Sequence, residues 1–330
     1  MNTAANTTSA DLGAHNVNCP SDKSHGWVVF IARLLTATTF PLIWLGGLVT
    51  TYDAGMAVPD WPGTYGYNLF AYPWQAWIYG PFDLLIEHGH RLLASLVGFI
   101  AIGFVVVCYR TGERPLIRNL AWLCLVTVIL QGALGGARVL LDARTVAMIH
   151  GCFGPAFFAL CVVTAVACSG IKGRSEVGVW SRWFVRFAVA TTVVSFLQLT
   201  LGAQLRHIHP WASPKFFLMM VHLHLTFAGI VLLGATILAT MGRREPNRTL
   251  RRPAALLVGL VLMQIGLGLG TWIVNYALPW EDLSPQLSAY IISAKGYWES
   301  MVVTMHQATG SLIIAVSTMI AARGWLLSGK

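Results

Sequence analysis

Glu87-His88-Gly89-His90-Arg91 stands at the mouth of an unbroken apolar run, Leu92 to Cys108. A carboxylate, two imidazoles and a guanidinium are expensive at the edge of a segment that length suits to a bilayer, so such groups mark either a membrane surface or a site. The choice depends on what the rest of the chain places at the same depth.

The run is one of eight. Apolar stretches able to cross a hydrocarbon core of about 30 Å extend from near Trp27 to Thr50, Leu84 to Cys108, Asn119 to Leu140, Val146 to Cys168, Phe184 to Leu205, Phe216 to Thr240, Pro253 to Leu278 and Ser300 to Ala322. With 56% hydrophobic and 11% charged residues, the chain has more apolar surface than one soluble core can use. The expected fold is an all-α membrane protein. The net charge of +9 does not point to nucleic acid, because the basic residues occupy short connections between apolar runs.

Those connections also predict an orientation. One alternating set carries Arg110, Arg114 and Arg118, then Lys172, Arg174, Arg182 and Arg186, then Arg243, Arg244, Arg248, Arg251 and Arg252. Lys23, Arg33, Arg323 and Lys330 belong to the same side, which then holds sixteen of the 22 basic residues. Positive residues favour the cytoplasmic face, so both termini are expected there, with residues 1–26 as a polar cytoplasmic tail and 171–182 as a cytoplasmic linker. The six cysteines lack paired spacing and five of them fall in or beside apolar runs, as core-filling thiols do.

On this orientation spans two, four, six and eight begin at the outer face, and each carries a histidine near its start: His90, His150, His224 and His306. Four positions on, always on the same helical face, stand Ala94, Gly154, Ala228 and Gly310. Small residues there give clearance to a flat macrocycle, and they equally suit close helix packing. His88 and His222 are followed four on by Leu92 and Thr226. They lie nearly opposite their neighbours and are expected in supporting or interfacial positions.

The chain repeats itself. EHGHRLLAS resembles VHLHLTFAG, MIHGCFG resembles TMHQATG, and QGALGG at Gln131 resembles QIGLGL at Gln264. One spacing, within a residue, relates His90 to His224 and Gln131 to Gln264; a second relates His150 to His306 and Gly46 to Gly202. The pattern predicts two pseudo-symmetric four-helix bundles, residues 27–170 and 183–330. Each would hold one facing pair, His90 with His150 and His224 with His306. Two imidazoles across a bundle suit axial ligation of haem iron better than zinc, which takes three or four N or S ligands. Gln-x-x-x-Gly in spans three, five and seven is expected to serve helix packing and interhelical hydrogen bonding.

The halves differ at one telling place: Glu87 in the first is Val221 in the second. The first half also has a long outer segment, Thr51 to Asp83, containing DAGMAVPDWPGTYGYN. It reads either as an interfacial aromatic belt or as a lid over the first site.

With these motifs the chain resembles the haem A synthase family, membrane enzymes that oxidise a methyl group of haem O to the formyl group of haem A. The resemblance rests on GGLVT through AGMAVPDWP, on the Glu87 to Arg91 block and on the histidines of spans four, six and eight. It implies that His90 and His150 hold haem O as substrate, that His224 and His306 hold haem b, and that Glu87 is catalytic. Some members carry a cysteine pair in the first outer loop; residues 51–83 have none. Haem propionates would need cations, and Arg91, Arg138 and Arg206 stand at the outer ends of spans two, three and five.

Further expectations are a prokaryotic plasma membrane with the haem sites toward its outer face, haem O delivered by a haem O synthase, and lipid as the surrounding partner. The electron acceptor and assembly into a homo-oligomer stay open. The rival is a di-haem b electron carrier without substrate oxidation. That rival leaves the unmatched Glu87 without a task.

Overall fold

The computed structural model describes residues 22–169, 179–209, 211–244, 248–276 and 296–327. Most of the expected tail and linker, and Cys19 with them, lie outside the described residues. Within these the protein is helical, with no strand beyond an isolated bridge between Thr64 and Tyr67.

Eight helices among the described residues are long and apolar enough to cross a membrane. They are α1 (Asp22–Thr51), α3 (Phe82–Arg110), α4 (Pro115–Leu141), α5 (Arg144–Ser169), α6 (Val179–Arg206), α7 (Pro214–Arg243), α8 (Arg248–Tyr276) and α9 (Tyr297–Leu327). A one-turn helix, α2 (Trp74–Ile78), interrupts the long loop between α1 and α3.

The helices outrun their apolar stretches where basic side chains can extend to the headgroups. So α1 starts at Asp22 rather than Trp27, and α8 at Arg248, which places Pro253 inside it. Proline is tolerated within the first turns, where few intrahelical acceptors are lost. Local chemistry sets the other ends. Pro115 and Pro214 open α4 and α7, and the Ser213 hydroxyl caps α7 by accepting from Phe216 N–H at 3.2 Å. Beyond α3, Gly112 takes the left-handed φ of 67° that lets Glu113 N–H return to Cys108 O at 3.0 Å.

The packing has two rings. In the first, α1, α3, α4 and α5 each touch two neighbours; in the second, α6, α7, α8 and α9 do the same. The rings meet along α5 and α9, with α1 also against α9. Away from the histidines each ring is filled by apolar side chains: Leu35, Val97, Ala101, Phe104 and Phe157 in the first, Phe184, Leu238, Leu250, Leu257 and Ile320 in the second. Cys108, Cys124, Cys161 and Cys168 are buried free thiols in the first core, as expected of packing residues. The outward faces carry Leu96, Phe99, Ile102, Ile129, Leu233 and Leu262, suited to lipid contact.

Candidate functional site

At the histidine end the apolar filling gives way to one contact made four times. His90 on α3 leans over Gly46 of α1, where an added Cβ would stand 2.9 Å from its Nε2. His150 on α5 leans over Gly135 of α4, His224 on α7 over Gly202 of α6, and His306 on α9 over Gly268 of α8, with corresponding approaches of 3.1, 3.1 and 3.0 Å. Each glycine makes room for an imidazole on the next long helix. The small residues four positions after the histidines do not make these contacts. Gly154 and Gly310 instead face the amides of Gln131 and Gln264, at 3.5 and 3.4 Å from an added Cβ.

Glutamine completes three of the four units. Gln131 Nε2 donates to His150 O at 3.0 Å, Gln198 Nε2 lies 3.3 Å from His224 Nε2, and His306 Nδ1 is 3.2 Å from Gln264 O. A carbonyl only accepts, so His306 carries its proton on Nδ1, and neutral imidazole then presents an unprotonated Nε2. Such a bond is a common way to orient a metal-binding histidine. In the first ring the position matching Gln198 is Leu42.

The site is short of polar partners. His150 Nδ1, His224 Nδ1 and the Oε1 atoms of Gln131, Gln198 and Gln264 are buried without a hydrogen-bond partner. Buried polar atoms are nearly always satisfied, so a repeated set of orphans at one depth fits a bound group. The rings of His224 and His306 are 6.3 Å apart between centres and inclined at 67°. That separation admits one metal ion with imidazole bonds of roughly 2 Å on either side. The residues therefore fit a haem iron in the second ring. In the first ring His90 and His150 are within electrostatic reach of each other.

In the first ring the site has a cover. Glu87 is buried, with one carboxylate oxygen accepting Val58 N–H at 3.0 Å and the other Arg91 Nη2 at 2.8 Å. Arg91 also donates to the carbonyls of Val58, Asp60 and Gly63 at 2.6, 2.6 and 2.8 Å. His88 is buried between Tyr72 and Trp77, with Nδ1 2.9 Å from Thr64 Oγ1. Trp61 covers Gly136, where a Cβ would fall 2.5 Å from its ring. Asp60 accepts from Tyr65 and Gly66 N–H; burial alone would raise its carboxyl, but these bonds outweigh it and hold it below the usual range. The segment 54–64 is thus a lid fixed by Glu87, His88 and Arg91.

The structure also gives partners to the three arginines named for propionates. Both terminal nitrogens of Arg91 are committed to the lid and to Glu87. Arg138 and Arg206 keep donors free. Arg138 Nη1 donates to Gly55 O at 3.2 Å, and Arg206 crosses from α6 to Thr51 of α1, donating from Nη2 at 2.7 Å. Arg206 Nε and Nη1 are buried with no partner. His88 takes the supporting position under the lid and His222 the interfacial one, exposed and bonded among the described residues to its own helix, 2.7 Å from Leu218 O.

Inward histidines on facing transmembrane helices, with a buried carboxylate held under a lid in the first ring, define a polytopic membrane protein whose histidine pairs fit haem. The family model for the cytochrome oxidase assembly proteins matches residues 29–223, more than half of the chain. The chain belongs to that family, and within it to the haem A synthase family. It is 26% identical to a haem A synthase of Shewanella oneidensis across 33% of this chain, and 28% identical to one of Symbiobacterium thermophilum across 52%. A protohaem IX farnesyltransferase of Halobacterium salinarum is 28% identical across 41% of the chain. The matches span 35%, 57% and 28% of those relatives' own lengths. The family match ends one residue before His224, so the roles of His224 and His306 rest on geometry.

Proposed function

We propose that the protein is a haem A synthase, oxidising a methyl group of haem O through a hydroxymethyl stage to the formyl group of haem A. The observation that carries this reading is the inequality of the rings: a buried carboxylate and lid over His90 and His150, and Val221 where the second ring would need its counterpart. Family membership and the named relatives support it.

In this reading His90 and His150 hold haem O, and His224 and His306 hold haem b. When bound, haem b supplies one-electron transfer. Arg138 and Arg206 offer guanidinium donors to propionates. The first oxidation removes two electrons and two protons and adds water, giving CH2OH; the second removes two more of each, giving CHO. Taking a proton would turn the Glu87–Arg91 contact from a charge-assisted pair into a weaker bond. The arrangement instead favours Glu87 as a fixed negative charge beside a carbon that becomes positive as electrons leave. Lid closure excludes bulk water from that carbon. The protein acts from a plasma membrane with both termini cytoplasmic, receiving haem O from a haem O synthase.

Glu87→Gln, expressed with a haem O source, tests the assignment. The variant is expected to retain both haems and to form no haem A by chromatography of extracted haems. Haem A at the wild-type level would remove Glu87 from the mechanism.

A further inference from the structure

Where α5, α6 and α7 meet at the histidine end, a pocket of about 380 Å³ opens beside the seam between the rings. Arg144 bridges that seam, donating from Nη1 to Ile208 O at 3.4 Å. The pocket is separate from the histidine pairs but close in sequence to both, since Met148 precedes His150 by two residues and Gln204 follows Gly202 by two.

Its lining combines three kinds of group. Met148 and Phe216 supply apolar walls, and His209 stacks on Trp211 with centres 4.8 Å apart at 18°, giving a flat aromatic side. His207 and Gln204 supply the polar edge, and among the described residues the His207 ring makes no hydrogen bond. Burial, helped by the charges of Arg206, Arg138 and Arg144, lowers His207 to a pKa of about 4. A neutral imidazole and an amide donate to a carbonyl, while three nearby guanidiniums favour negative charge developing on that oxygen. Sites of about 300–1,000 Å³ with apolar walls and few polar groups suit small planar ligands.

We propose that this pocket binds the headgroup of a membrane quinone, which takes the electrons removed from the substrate. The inference rests on the haem A synthase reading for its reaction, though not for the binding itself. The balance is complete: R–CH3, water and quinone give R–CH2OH and quinol, and R–CH2OH with a second quinone gives R–CHO and a second quinol. In each step the two quinone carbonyls become hydroxyls, taking two electrons and two protons. His207 and Gln204 hold one carbonyl, and the Trp211 and Met148 walls hold the ring.

The test uses the full-length holoprotein in nanodiscs with decylubiquinone. Binding is read as saturable quenching of tryptophan fluorescence, with a Trp211→Phe control, and electron transfer as reoxidation of dithionite-reduced haem in stopped flow. His207→Ala and the pocket-filling Met148→Trp are expected to slow quinone-driven reoxidation at least tenfold while ferricyanide still reoxidises the haem at the wild-type rate. Saturable quenching should be lost in Trp211→Phe. Equal quinone-driven rates in wild type and both variants, or no saturable quenching in wild type, would overturn the proposal. Chromatography of haems after turnover with ferricyanide separates the two ideas, because absence of haem A there contradicts the synthase reading whatever the quinone does.

Discussion

Replacing Arg91 with lysine tests how the lid is held. Arg91 makes four hydrogen bonds of 2.6–2.8 Å, three to lid carbonyls and one to Glu87. Lysine keeps the charge but lacks the planar fork, and its single ammonium cannot reach four acceptors spread over Val58, Asp60, Gly63 and Glu87. If it keeps two of them, two charge-assisted bonds are lost; at about 1.5 kcal/mol each, the low end for such bonds, the lid is weakened by about 3 kcal/mol. That corresponds to roughly a hundredfold more frequent opening. Hydrogen exchange of Arg91→Lys in nanodiscs, followed by mass spectrometry of peptides covering 55–70, reads this directly, because Val58 N–H is bonded to Glu87 and Thr64 N–H to Tyr67 O. Exchange there should accelerate about a hundredfold while α6 to α9 stay as in wild type. Protection of the 55–70 peptides within about threefold of wild type would refute the claim that Arg91 clasps the lid.

Gly268→Ala places a Cβ 3.0 Å from His306 and should weaken haem binding in the second ring by about tenfold, the result of about 1–2 kcal/mol of overpacking, with the first ring unaffected in difference spectra. His88→Ala should lower stability by about 2–3 kcal/mol through loss of the Thr64 bond and ring packing. His222→Ala should change it by no more than about 0.5 kcal/mol; thermal unfolding in detergent compares the two. Arg206→Met should shift the potential of a bound haem negative, by ~59 mV for each 1.4 kcal/mol of charge interaction lost, and a redox titration identical to wild type would detach Arg206 from the haem.

The membrane architecture was legible because bilayer thickness and helical rise turn apolar length into span number. The four histidines were legible for a related reason: equal depth follows from each opening its span. Their contacts were not. The small residues four on drew attention to the histidines' own helices, whereas the room for the imidazoles is made by Gly46, Gly135, Gly202 and Gly268 on neighbouring helices. The signal was present in Gln-x-x-x-Gly, whose glycines face the histidines and whose glutamines pair with them. The lid contacts of Arg91 were not legible because its partners, Val58, Asp60 and Gly63, come from a loop whose path no periodicity specifies. The same loop explains why two histidines at matching repeat positions differ: His88 has a lid to hold, and among the described residues His222 bonds only its own helix.

The claim that the two rings have unequal tasks is met most directly by identifying the haems extracted from purified wild-type protein, expressed with and without a source of haem O. Haem b alone without the source, and haem b together with haem O and its hydroxylated or formylated products with it, is the predicted result. Haem b under both conditions, at two per chain, would contradict the account and leave the protein an electron carrier.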